Sequence, residues 1–303
     1  MRKGNFITFL SAFLIILSAL LFFPSQTVPT ITYFPLDPKG VFKETKNVLH
    51  LDQKKQSNAY SVTWENHSES NEPLFLRQDV SILFRDGQLI GVKSIWKEDA
   101  KTIDFSETFH FKKDHLFQSV ALHYGEKHYP NEVINSLQKM SYSELPVKGK
   151  KKNGFMYYQQ PKEQQDPESH AALQKEMREN LLHHWHRLTS HFNVDLAQYN
   201  VVPLTELHEF QEKALMSFTQ EQTDEIIAKL WEGLYKNYII PISKNKDVSS
   251  DSYVPLILFE KNEHHILVLF ELNGEKIKLK QVYPEFSRTT FFQKLGCIAV
   301  DWM

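Results

Sequence analysis

Between about residues 46 and 125 the apolar positions recur every second residue. A chain patterned that way is committed to paired strands, because alternate side chains of a strand point to opposite faces. Tyr60, Val62 and Trp64 alternate with Ser61 and Thr63. Val80, Ile82 and Phe84 lead into Asp86-Gly87, a strong hairpin signal, and then into the apolar run from Leu89 to Trp96. Ile103, Phe105, Phe109 and Phe111 share one face, and Lys112 to His115 makes the next turn. On the returning strand Leu116, Val120, Leu122 and Tyr124 face one way. The pattern predicts an antiparallel meander of four or more strands over residues 44–147. One face is apolar, and His110 and His123 lie on the solvent side. A short helix is expected around Asn131 to Met140.

The period then changes. Lys148 to Lys152 reads as a basic loop, and the polar stretch to Asp166 completes a linker over 148–166. Asp166-Pro167-Glu168 combines an N-cap, a proline at the first helical position and an acid in the first turn. Leu173, Met177, Leu181, Trp185, Leu188 and Phe192 then recur at helical spacing. A second helix is expected over Thr205 to Phe218. A third opens with the capping-box pattern Thr219-Gln220-Glu221-Gln222 and ends at Pro241. Strands return over Val254–Glu260, His265–Leu272 and Glu275–Tyr283, with Asn273-Gly274 as a type I′ turn. Strands, then helices, then strands predict an α+β fold: an antiparallel β-meander, then a middle run of about three helices and a C-terminal three-stranded β-meander that together fill 167–303.

Ahead of all this stands an uncharged run from Phe6 to Phe23, preceded by Arg2 and Lys3. As a helix it would extend about 27 Å, close to the hydrocarbon thickness of a bilayer. Bulky Leu20 to Phe23 occupy the places where a cleaved signal carries small residues, so the run reads as an uncleaved transmembrane anchor over 1–23. The flanking cations keep the N-terminus cytoplasmic and the bulk of the chain extracytoplasmic. Pro24, Pro29, Pro35 and Pro38 make 24–43 an extended stalk.

Composition narrows the function classes. Net charge is −2, which gives no electrostatic drive toward nucleic acid. The single Cys297 excludes an intrachain disulfide and any multi-cysteine metal site. Its apolar neighbours mark it as a structural thiol. The sequence carries no nucleophile elbow and no glycine-rich phosphate loop, and no cofactor is implied. His208-Glu209 lacks the second histidine of a zinc-hydrolase motif, since position 212 is Glu.

The densest unusual feature is His183-His184-Trp185-His186, with His191 beyond. On a helix, His183 and His186 lie 60° apart and are the pair able to share a metal, with further ligands from elsewhere.

Together these features read as a single-pass, membrane-anchored extracytoplasmic protein of the bacterial cell envelope. It would be a binding, sensor-accessory or assembly factor without catalysis. It touches the membrane through residues 6–23 and another envelope protein, and no nucleic acid. The alternative is a metal-dependent envelope hydrolase built on the histidine-rich helix.

Overall fold

The computed structural model describes residues 32–53, 58–152, 155–162, 164, 166–244 and 252–283. Among these residues ten strands and three α-helices appear in chain order. The strands are β1 (Phe42–Asp52), β2 (Tyr60–Arg85), β3 (Gln88–Phe111), β4 (His115–His128), β5 (Ile134–Lys152) and β6 (Phe155–Gln159), then β7 (Tyr199–Pro203), β8 (Leu256–Glu260), β9 (His265–Leu272) and β10 (Glu275–Val282). The helices are α1 (Pro167–His191), α2 (Gln220–Leu234) and α3 (Ile240–Lys244).

Strand covers 53% of the described residues, and the main sheet is nearly closed, like a barrel. The α+β expectation is therefore corrected: the fold is mostly antiparallel β with helices packed onto it. Three local readings failed with it. The helix expected at 131–140 is the start of β5, because its backbone pairs with β4 from His128↔Ile134 onward. The basic run Lys148 to Lys152 is no loop but the far end of β5, paired with β6. The second expected helix shortens to a 3-10 turn, Leu204–Gln211. The last sheet has four strands, not three, in the order β10-β9-β8-β7, since β7 adds itself from the helical region. Among the described residues no helix is long and apolar enough to cross a membrane. The expected anchor, residues 6–23, lies outside them, as does Cys297.

Strand β2 organises the main sheet. Its pairing with β3 shifts register between Glu69 and Leu74. The half before the shift pairs with β1 and the half after it with β4. The two layers enclose an interior, with Leu49, Tyr60, Val62 and Trp64 on one side and Leu83, Phe117, Leu145 and Val147 on the other. The opposite face of β2 and β4 is also covered. Val80, Ile82, Phe84, Val120 and Leu122 join one core with Trp185, Trp231, Tyr238, Phe259 and Phe270. These central strands are thus buried on both faces, where the meander reading had one wet face. Each fully buried side chain of this size is worth about 1.5–3 kcal/mol. The shared core also runs across the expected 148–166 boundary.

Local chemistry explains the joints. Asp86 and Gly87 take φ values of 51° and 81°, and Asn273 and Gly274 take 53° and 79°, as two-residue hairpin turns require. Thr219 and Gln222 form the full capping box of α2. Pro241 does not end that helix. A π turn at Tyr235–Ile239 loosens the ladder just before it, and the chain continues helical as α3. A proline has no N–H and crowds the preceding turn, so the wider turn accommodates it. The expected stalk is also modified. From Thr32 on, the chain lies against the body: the Tyr124 hydroxyl donates to the Thr32 carbonyl, and Leu36 bridges to Ser136 of β5.

Candidate functional site

The closed interior of the main sheet has an apolar end and a polar end. In β4, and in β2 after its register shift, odd positions face inward, which brings Arg77, Asp79 and His123 together with none of their surface exposed. His123 Nδ1 lies 2.8 Å from Asp79 Oδ2, and its Nε2 lies 2.8 Å from Ser141 Oγ on β5. With the proton on Nδ1 the ring donates to Asp79 and accepts the serine hydroxyl. Asn66 donates to the same carboxylate at 2.7 Å. The Arg77 guanidinium sits 3.7 Å from Asp79 and donates to Ser68, Ser70 and the Lys101 carbonyl. Burial pulls the Arg77 pKa down, against the opposing pull of Asp79.

A serine–histidine–aspartate line is the arrangement of acyl-transfer enzymes. Here it is sealed. Phe42 of β1 lies across it, 6.2 Å from the His123 ring and 4.8 Å from the Arg77 guanidinium. Nucleophilic chemistry needs room for a reacting carbonyl and donors for its oxyanion. Here most of the polar groups around the line bond one another, while Asp79 Oδ1, Arg77 Nε and Asn66 Oδ1 have no hydrogen-bond partner among the described residues, and the line forms part of a polar core.

The accessible feature lies on the other face. Leu36, Leu122, Gln138, Met140, Phe210, Gln211, Asp224, Ile227, Ala228 and Trp231 line an open cleft of about 160 Å³ between the outer edge of β5 and α2. Of three consecutive outward positions of β5, Ser136, Gln138 and Met140, the last two line it. Ser136 exchanges backbone bonds with Pro35 and Asp37, at 2.9 and 2.8 Å. Met140 N–H donates to Gln211 Oε1 at 2.6 Å, and its carbonyl accepts from Gln211 Nε2 at 3.0 Å. Gln138 lies between them in the same regular register with β4. In an antiparallel ladder every second residue turns its N–H and C=O away from a given partner, so those of Gln138 point where those of Ser136 and Met140 do. Among the described residues nothing bonds them. Trp231 closes the cleft beside Met140, its indole nitrogen 3.1 Å from the Met140 sulfur. Asp224 is held by Gln220 at 2.8 Å. Burial, with Glu221 adding to it, raises the Asp224 pKa above its ordinary 3.8.

The histidines singled out by sequence are elsewhere. His183 and His186 are exposed on α1. His184 is buried and stacks on Tyr253 with centroids 4.5 Å apart. His208 stacks on Tyr142 at 4.5 Å. Among the described residues the one group with three possible metal ligands within 4.8 Å is Glu44, His67 and Glu69. Each already has an oppositely charged or hydrogen-bonding neighbour: Lys46 at Glu44, Asp104 at His67 and Lys43 at Glu69. Neither His183 nor His186 belongs to it. Sequence reading placed His123 in solvent and passed over Asp79, Gln138 and Asp224. The alternation that revealed β2 and β4 carried no sign that both their faces are covered.

No family model matches the chain, and no curated protein matches it. Among solved structures, the solution structure of AT1g01470 from Arabidopsis thaliana is similar over 43% of this chain and 94% of that one. The identity is 10% and the TM-score 0.24, a likeness that carries no argument about fold or function.

Proposed function

We propose that the chain is a membrane-anchored extracytoplasmic binding protein of the bacterial envelope, acting as an accessory or assembly factor through the cleft between β5 and α2. The anchor rests on the uncharged run from Phe6 to Phe23 with Arg2 and Lys3 before it. The binding role rests on one observation: an open cleft where apolar walls meet main-chain groups without partners among the described residues. Concave, mostly apolar sites with a few placed polar groups are what small ligands select. The buried His123 cluster, covered by Phe42, supports a binding rather than a catalytic role.

The location is tested in intact cells. Lys175 is exposed, with 78% of its side chain accessible. Lys175→Cys in a Cys297→Ser background is expected to react with a membrane-impermeant maleimide before lysis and to remain in the membrane after alkaline extraction. Labelling only after lysis would place the body in the cytoplasm and overturn the proposal.

A further inference from the structure

We infer that the cleft recognises a small ligand carrying one carboxamide or peptide unit beside one apolar group about the size of a benzene ring. The inference rests on the binding reading above and specifies its chemistry. The fold itself shows how this strand edge is read. At Met140, a carboxamide, that of Gln211, takes both the N–H and the C=O of one residue. Two residues away, Gln138 offers the same pair in the same direction with no partner among the described residues. The spacing between the two positions along a strand is about 7 Å, so a second carboxamide fits beside the first without displacing it.

Between the segment bound at Ser136 and the carboxamide bound at Met140, the free stretch of edge is one residue long. Ser136 is taken by the Pro35–Asp37 segment and Met140 by Gln211. An added strand would therefore find no continuous ladder, which separates this site from strand-addition grooves. The apolar partner is set by size. A cavity of about 150 Å³ holds a benzene ring, and this cleft is about 160 Å³, walled by Leu122, Ile227, Ala228 and Trp231.

The test uses the full chain in lipid nanodiscs and three probes, read by saturation-transfer NMR titration. Phenylacetamide is expected to bind in about the millimolar range, as suits a ligand of its size. Methyl phenylacetate keeps the shape but has no N–H donor, and is expected to bind about tenfold more weakly. Gln138→Pro removes the outward N–H, which the β4 ladder does not use, and an outer-edge position tolerates proline. This variant should bind phenylacetamide no better than wild type binds the ester. If Gln138→Pro does not fold, the amide-to-ester ratio alone decides. N-acetyl-Ala-Phe-Ala-amide should bind within about threefold of phenylacetamide, because its extra peptide units find no partners. Equal binding of amide and ester would overturn amide recognition while leaving the cleft a binding site. A peptide more than tenfold tighter would replace the single-unit reading with strand addition. No transfer to any probe would remove the cleft itself, and with it the site proposed above.

Discussion

Replacing Asp79 by Ala tests whether the sealed polar core is held together by its charges. Arg77 and Asp79 are fully buried and 3.7 Å apart. At an effective dielectric constant of 20, that separation corresponds to about 4.5 kcal/mol. Removing one partner of a buried pair leaves the other charge uncompensated, which costs about 3–5 kcal/mol. Here Arg77 keeps Ser68, Ser70 and the Lys101 carbonyl, so the lower part of that range applies. His123 and Asn66 also lose their shared acceptor, about 1 kcal/mol each. The total approaches 5 kcal/mol, a large share of the roughly 5–15 kcal/mol of a typical domain. Urea unfolding of the detergent-solubilised full chain, followed by tryptophan fluorescence, measures it. The double variant Arg77→Met/Asp79→Leu removes both charges and should recover most of the loss, since apolar replacement of a buried pair is often neutral. A loss below about 1 kcal/mol for Asp79→Ala, or a double variant as unstable as the sum of the singles, would refute the charge argument.

Other outcomes follow from single features. The raised pKa of Asp224 means the folded state holds its proton more tightly than the unfolded state, so stability falls as pH rises from about 3.8 through that pKa. Asp224→Asn should remove this limb and make the protein more stable at pH 7 than wild type, as unfolding at several pH values would show. Asp37 behaves oppositely. Burial would raise its pKa, but bonds from Tyr129 and the Lys39 and Gly40 amides hold it below the ordinary value. Its contribution is present above about pH 4 and is lost as pH falls through the lowered pKa, so Asp37→Asn should flatten the acid limb. Gly125→Ala would drive a Cβ to 2.4 Å from Leu74 Cδ1, in a core position, and should cost about 1–3 kcal/mol by thermal unfolding. His183→Ala/His186→Ala alters two exposed side chains and should unfold within about 0.5 kcal/mol of wild type, with or without zinc. A zinc-dependent rise in wild-type melting temperature, lost in the variant, would restore the metal reading.

Much of the local structure was legible. Asp86-Gly87 and Asn273-Gly274 announce their turns because few residues tolerate positive φ, and Thr219 with Gln222 announces a helix start because the motif satisfies its own orphan amides. The helix expected at 131–140 failed because a short apolar run suits either period, and pairing with β4 decided it. Pro241 misled because a π turn accommodates it, a device that leaves no mark in composition.

The candidate site was legible hardly at all. The polar residues alternating with Val80 and Ile82 look like a solvent face, and so does His123 on β4. Period two says that two faces differ, not which of them meets water. In this chain a second layer folds back over one face and helices cover the other. What the sequence by itself determined was therefore the strands with a clear two-residue period, their tight turns, the caps of α1 and α2 and the apolar run at 6–23, all set by patterns between near neighbours. Tertiary structure alone decided that Arg77, Asp79 and His123 are buried together beside Ser141, and that Gln138 is left facing a cleft. Those depend on which distant segments close over each strand edge and face, and no local pattern encodes that.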